Sequence, residues 1–185
     1  MCSQLVIDLQ GLLDDMTDQG YNDLLRYKNH GEAQDLELAI QQFQDVLDIC
    51  PMDHPCYAAA QSNLAMVNFL HCRDRASDGL FELPITLYRN ALVARPVGHP
   101  DRARTLVALA MVLLAGFEKS NANVDTADAR ALLREAIELG STESHEYQMA
   151  VSVLQSHDAL TTEAVRTGDP SFVEDCTSGL PNGGP

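Results

Sequence analysis

The stretch from Cys50 to Cys56 contains residue types that bind zinc, because His54 lies between the two cysteines. A structural zinc site uses four such ligands, and this cluster supplies three. His99 follows His54 by 45 residues, but the cysteines do not recur at that spacing. We therefore assign the histidine to a recurring turn and predict that the chain binds no metal.

The adjacent residues His71 and Cys72 are a second candidate for chemistry, as a base and a nucleophile. Neighbouring side chains of a helix point about 100° apart, so this pair is poorly placed to form the required hydrogen bond. At the 45-residue spacing Cys72 corresponds to Tyr27 and Phe117, which favours a place in the core. The sequence has no glycine-rich phosphate loop after a strand. We predict no catalytic residue, no cofactor and no enzymatic activity.

The chain has 12 basic and 27 acidic residues, a formal net charge of -15. Such a surface repels phosphate groups, which argues against nucleic acid and anionic membranes as partners and favours basic ones. The longest apolar run, residues 106–115, is shorter than the ~20 residues of a membrane-spanning helix. Six arginines lie between Arg73 and Arg104, and we interpret them as solvated helix surface.

The five cysteines are odd in number and irregularly spaced. Aspartates from Asp8 onwards interrupt the N-terminal apolar residues, so no secretory signal is expected. We predict reduced thiols and a cytoplasmic location.

The sequence resembles itself when it is shifted by 45 residues. Residues 40–47 match residues 85–92, and both segments run into a Pro-x-x-His-Pro turn. A third copy follows with a degraded turn, in which Ser141 replaces the first proline. A partial copy around Gly20 precedes the first. We infer a repeat of two helices in every 45 residues.

Apolar residues at steps of three and four, such as Phe43, Val46 and Cys50, mark each helix. Proline ends a helix in the turns but is tolerated in a first helical turn, so Pro84 predicts a late start for the fourth helix. The pattern predicts an all-α fold of about seven helices. They lie near residues 12–28, 35–49, 57–72, 83–94, 102–118, 126–139 and 145–157.

The helical pattern ends near Thr161, and the sequence beyond it is rich in Gly, Pro, Ser and Thr. Such a segment has too few large apolar residues to offset the entropy lost on ordering. We predict a helical repeat domain over residues 1–158 and a disordered tail over residues 159–185.

The second helix of each period places a small residue, an aromatic and another small residue before a proline, as at Ala39, Phe43, Val46 and Pro51. This pattern resembles the tetratricopeptide repeat over roughly residues 12–158. The usual unit has about 34 residues, and the longer unit here is similar to repeats of large fungal proteins that accompany caspase-like or nucleotide-binding modules. The resemblance implies a right-handed α-solenoid of antiparallel helix pairs.

Tetratricopeptide scaffolds generally present the first helix of each pair to a concave groove that binds a peptide. By resemblance, the candidate groove residues are Thr17, Tyr21, Ser62, Met66, Phe69, Arg104, Val107 and Met111. The alternative is that neighbouring helices bury these side chains as core. Members that grip acidic chaperone tails need Lys, Arg and Asn in the groove. Only Asn63 and Arg104 are suitably placed here, so we predict no binding of such tails.

The resemblance implies a protein-protein interaction scaffold or adaptor, either free or as a segment of a larger multidomain protein. Its partner would be a protein or peptide. The alternative is a self-assembling structural segment, because exposed repeat ends can stack into a homo-oligomer.

Overall fold

A computed structural model of the chain describes residues 2–74, 81–120 and 126–167, and side chains within 9–74, 81–117 and 126–159. The described residues form seven α-helices and no strand, so the prediction of an all-helical chain is confirmed for them. The helices are α1 (Cys2–His30), α2 (Ala33–Ile49), α3 (Tyr57–Asp74), α4 (Glu82–Val93), α5 (Arg102–Ser120), α6 (Thr126–Leu139) and α7 (His145–Thr167).

The helices α2 to α6 begin and end within two residues of the predicted bounds. The first helix is longer than predicted, because it begins at Cys2 and not near residue 12. Leu9, Leu13 and Met16 continue its apolar face at steps of four and three and pack beside Val46 of α2. That contact gives the N-terminal part of α1 a buried face.

The last helix continues to Thr167, nine residues beyond the predicted end of the helical domain at residue 158. The segment contains no glycine or proline, and the first of either is Gly168. A helix is not forced to stop until such a residue occurs. Residues 168–185 of the predicted tail lie outside the described residues.

The even-numbered helices α2, α4 and α6 bury the face that carries the repeated pattern. α4 begins at Glu82, so Pro84 lies in its first turn as predicted, where no backbone hydrogen bond is lost. The buried residues of the three helices occur at matching positions 45 residues apart. They are Ala39, Phe43 and Val46, then Pro84, Tyr88 and Ala91, then Ala129, Leu133 and Ala136.

The turns that follow these three helices share a backbone hydrogen bond. The third turn keeps this bond although it lacks the first proline, so a seryl backbone supports the same geometry. The bonds run from the N–H of His54 to the carbonyl of Pro51 (2.9 Å), from His99 to Pro96 (3.0 Å), and from Ser144 to Ser141 (2.9 Å).

Each helix packs against the next one along the chain, and α5 also packs against α3 and α7. The centre of α5 is buried on most sides, as at Leu106, Leu109 and Val112. Ala65 of α3 and Ala110 of α5 are fully buried, and their small side chains allow close approach of neighbouring helices. The odd-numbered helices α3, α5 and α7 therefore lie side by side.

Replacing Gly20 by alanine is expected to destabilise the protein. The new Cβ would lie 2.9 Å from Cε1 of Phe43, a fully buried ring that cannot move aside. Such overpacking costs about 1–3 kcal/mol, which exceeds the ~1 kcal/mol that alanine adds to helix stability over glycine. Gly11→Ala, on the same helix with nothing within 4 Å, is expected to stabilise by about 1 kcal/mol. Urea unfolding followed by circular dichroism compares the two, and a stabilised Gly20→Ala variant would contradict this packing.

Candidate functional site

A cavity of about 330 Å³ opens between α1, α3 and α5. Thr17 and Tyr21 of α1, Ser62 of α3 and Arg104 of α5 line its wall. These are four of the eight residues that the sequence predicts for a groove. Three helices that are distant in sequence bring them together around one space.

A second cavity, of about 370 Å³, lies between α5 and α7. Val107 and Met111 line it together with Met149 of α7, so its wall is mainly apolar. Arg104 lines both cavities, which are therefore adjacent. We call the two cavities together the groove. Its extension along α7 was not predicted, because the third copy of the repeat is weak in sequence.

The other two predicted groove residues, Met66 and Phe69, line neither cavity. Both are half-buried and pack against the core. The ring of Phe69 lies 6.3 Å from the ring of Phe81, with an angle of 57° between the planes. The structure therefore separates these two from the six residues that line the groove.

Tyr21 is held in place from two sides. Its hydroxyl donates a 2.8 Å hydrogen bond to Oδ1 of Asn63, and its ring meets the ring of Phe43 edge to face at 5.2 Å. Burial raises the pKa of Tyr21, and this outweighs the lowering by Arg104 and Asn63. The phenol therefore stays neutral at physiological pH and acts as a hydrogen-bond donor at the rim of the groove.

Arg95, which also lines the first cavity, is only 5 % exposed. Its Nη1 donates to Oγ of Ser62 (2.8 Å) and to Oγ1 of Thr105 (2.5 Å). The interpretation of the arginines as solvated surface is therefore wrong for this residue. A signal was present in the sequence, because Arg95 occupies the position of Cys50 at the 45-residue spacing, and Cys50 belongs to a buried stripe.

The charge of Arg95 has little compensation. The nearest carboxylate, Asp101, lies 3.9 Å from the guanidinium. Burial lowers the pKa of Arg95, and Asp101 opposes that effect. Its Nε has no hydrogen-bond partner among the described groups. The two hydroxyl acceptors are thus the main polar contacts that hold this cation beside the groove.

The hydroxyls of Ser62 and Thr105 are oriented for this task. Ser62 donates to the carbonyl of Ala58 (2.9 Å), and Thr105 donates to the carbonyl of Asp101 (2.9 Å). Each hydroxyl proton is used inside its own helix or turn, so the oxygen lone pairs remain for the guanidinium. Arg95 thereby links α3, the turn after α4 and α5.

Arg104 differs from Arg95 because its side chain is 73 % exposed. It forms an ion pair of 3.4 Å with Glu146 at the start of α7. A backbone N–H, with a smaller contribution from Arg104, lowers the pKa of Glu146. Since this pair is exposed, it is weak and can exchange for a ligand group. Arg104 is the most accessible cation of the groove.

His54 of the Cys-His cluster and its counterpart His99 both serve the turns, as predicted. Nδ1 of His54 accepts the backbone N–H of Cys56 (3.2 Å), and Nδ1 of His99 accepts that of Asp101 (3.1 Å). Burial, and to a lesser extent Cys56, raises the pKa of the Cys50 thiol. Within the described ranges, no group of three or more His, Cys, Asp or Glu side chains is arranged to hold a metal ion.

Cys72 is buried in the core as predicted. No helix among the described residues is long and apolar enough to cross a membrane. The chain matches no protein-family model, no curated protein and no solved structure.

Proposed function

We propose that the chain is a protein-binding scaffold that holds a segment of a partner protein in the groove. One observation carries the proposal: α1, α3, α5 and α7 line two adjacent cavities that share Arg104. Of these, α1, α3 and α5 are the first helices of the proposed pairs. A groove that crosses several helices suits a chain segment better than a small molecule, because a segment makes contacts along its length.

We also propose that the helices form a right-handed, tetratricopeptide-like solenoid with a period of 45 residues. The matching buried positions on α2, α4 and α6 support this arrangement. The shared hydrogen bond in the three turns supports it as well. In such a fold each unit is stabilised mainly by its neighbours, and the units together provide an extended concave surface.

The two cavities would select different parts of a partner segment. The first carries hydrogen-bonding groups, among them Tyr21, Asn63 and Arg104. The second is mainly apolar and includes Met111 and Met149, whose flexible thioether side chains adapt to varied apolar groups. We propose that the partner places an apolar side chain between α5 and α7 and a polar portion between α1, α3 and α5.

Binding without catalysis fits the local chemistry. The candidate nucleophile Cys72 is buried, and Nδ1 of His54 accepts a backbone N–H within its own turn. Among the described residues, Cys50 and Cys56 form no disulfide bond, and on that ground we propose a reducing, cytoplasmic compartment.

Arg104→Glu is expected to weaken groove binding at least tenfold, because it reverses the charge of the most accessible cation where the cavities meet. Peptides selected from a displayed random library against the full-length chain serve as probes, and fluorescence anisotropy gives their affinities. The variant should remain folded, since the side chain is mostly exposed.

Arg89→Glu is the matched control. Arg89 is also exposed, at 57 %, and also forms one ion pair, of 3.5 Å with Asp128. It lines a different cavity, between α4 and α6. An equal loss of peptide affinity in both variants would contradict the proposed groove. No loss of affinity in either variant would contradict it as well.

A further inference from the structure

The turns after α2, α4 and α6 expose a row of apolar side chains, none of which lines the groove. Met52, Val93 and Val97 are 83 %, 85 % and 74 % exposed, and Ile49 and Leu139 are 39 % exposed each. They lie at the C-terminal ends of the three helices or in the turns that follow. We call this row the apolar edge. Clustered exposed apolar groups of this kind mark interaction surfaces.

The turns that carry the row are neighbours. A cavity of about 300 Å³ has Met52 of the first turn and Ala94 of the second on its walls. Arg102, at the start of α5, donates to the carbonyl of Arg95 (2.7 Å) and to Glu135 of α6 (2.7 Å). These bonds connect the second turn to the C-terminal part of α6. The apolar edge therefore spans neighbouring turns of the protein.

Exposed carboxylates stand at both ends of the apolar edge. Asp48 and Asp53 flank the first turn, and Glu138 and Glu143 flank the third. Within the described part of the chain, none of these four forms an ion pair. The corresponding positions of the middle turn carry Val93 and Gly98. An apolar centre is thus framed by unpaired negative charge.

We propose that the apolar edge binds a basic, amphipathic segment of another protein, with apolar residues against Val93 and Val97 and Lys or Arg against the carboxylates at each end. A second copy of this chain fits poorly, because symmetric pairing would bring acidic ends together on a chain of net charge -15. Complementary charge also speeds and orients the encounter. This site is separate from the groove and does not depend on the proposed groove function.

A labelled synthetic peptide tests the proposal against the full-length chain. The peptide has about 14 residues, reaching ~21 Å as a helix, with a leucine face and arginines at both ends. A twin carries Glu in place of each Arg. We expect the basic peptide to bind at least tenfold more tightly than the acidic twin, and its affinity to fall with added salt.

Val93→Ser with Val97→Ser is expected to weaken the basic peptide about tenfold, because it removes apolar contact area without a change of charge. Asp53→Asn with Glu143→Gln should weaken it about threefold and reduce the salt dependence. Leu83→Ser, an exposed apolar residue at the other end of α4, should change nothing. Arg104→Glu should also change nothing, which separates this site from the groove.

Three results would overturn the proposal. The first is equal binding, or no binding, of the basic and acidic peptides. The second is an affinity that Val93→Ser with Val97→Ser leaves unchanged. The third is a dimer in sedimentation that this double variant abolishes and the basic peptide does not displace, which would assign the edge to a second copy of the chain.

Discussion

Phe43→Ala is expected to lower the free energy of unfolding by about 3–5 kcal/mol. Phe43 is fully buried on α2, where its ring contacts the ring of Tyr21 at 5.2 Å and leaves no room for a side chain at Gly20. Alanine would leave a cavity between α1 and α2 that the rigid helices cannot close. Domains of this size are stable by about 5–15 kcal/mol, so the variant would lie close to its unfolding threshold. Urea unfolding followed by circular dichroism measures the change.

Leu38→Ala is the control for Phe43→Ala, because Leu38 lies on the same helix and is 42 % exposed. Its substitution is expected to change stability by less than about 0.5 kcal/mol. A loss below about 1 kcal/mol for Phe43→Ala would mean that α1 and α2 do not pack through this ring. The position of Tyr21 in the groove would then lack its support.

Removing the two hydroxyls that hold Arg95 is expected to destabilise the protein more than removing Arg95 itself. Ser62→Ala with Thr105→Val takes away both acceptors of Nη1, at 2.8 and 2.5 Å, and leaves a buried cation with Asp101 at 3.9 Å. We expect a loss of about 2–3 kcal/mol. Arg95→Met removes the charge while keeping similar volume, and we expect a loss below about 1.5 kcal/mol.

The two expected losses of stability differ because of where the hydroxyl protons are donated. Ser62 and Thr105 donate to backbone carbonyls with or without the guanidinium, so Arg95→Met leaves them satisfied. Adding Arg95→Met to the double variant should therefore restore part of the lost stability. Urea unfolding gives the free energy of unfolding of the Arg95→Met variant, the double variant and the triple variant. Together with the unmodified protein, these values form a mutant cycle. A triple variant that is less stable than the double variant would contradict the account of Arg95 as a poorly compensated buried charge.

Much of the helical layout was predictable because similar segments of the sequence recur at a spacing of 45 residues. The 45-residue match aligned the residues that α2, α4 and α6 bury, from Phe43 to Tyr88 to Leu133. Prolines then set the helix ends of the first two turns, since proline interrupts the backbone hydrogen bonds of a helix. Apolar spacing and proline act within a few residues of the chain, so a pattern in the sequence indicates the helices and their ends.

The interior contacts were less predictable. Arg95 was assigned to solvent by its residue type, but it lies in the turn after α4 and donates to Ser62 and Thr105. Phe69 and Met66 share the spacing of groove residues, but both are half-buried against the core and line neither cavity. Spacing along a chain gives the face of a helix, and packing against neighbours decides what that face meets.

The lengths of the terminal helices escaped prediction for a related reason. Residues 2–11 precede the first strong repeat match, and residues 158–167 follow the last one. Their helices continue because no glycine or proline stops α7 and because Leu9 and Leu13 find a buried partner surface beside α2. Met149, which α7 contributes to the groove wall, lies within the predicted helix 145–157 and was missed because the third copy of the repeat is weak in sequence.

Methyl resonances of the methionines test the central claim most directly, because these residues mark different surfaces. Met111 and Met149 line the groove, whereas Met52 lies on the apolar edge. The full-length chain with isotope-labelled methionine methyl groups would be titrated with a peptide selected for groove binding. We predict that the resonances of Met111 and Met149 shift and that of Met52 does not. A shift of Met52 with Met111 and Met149 unchanged would show that the partner segment binds elsewhere.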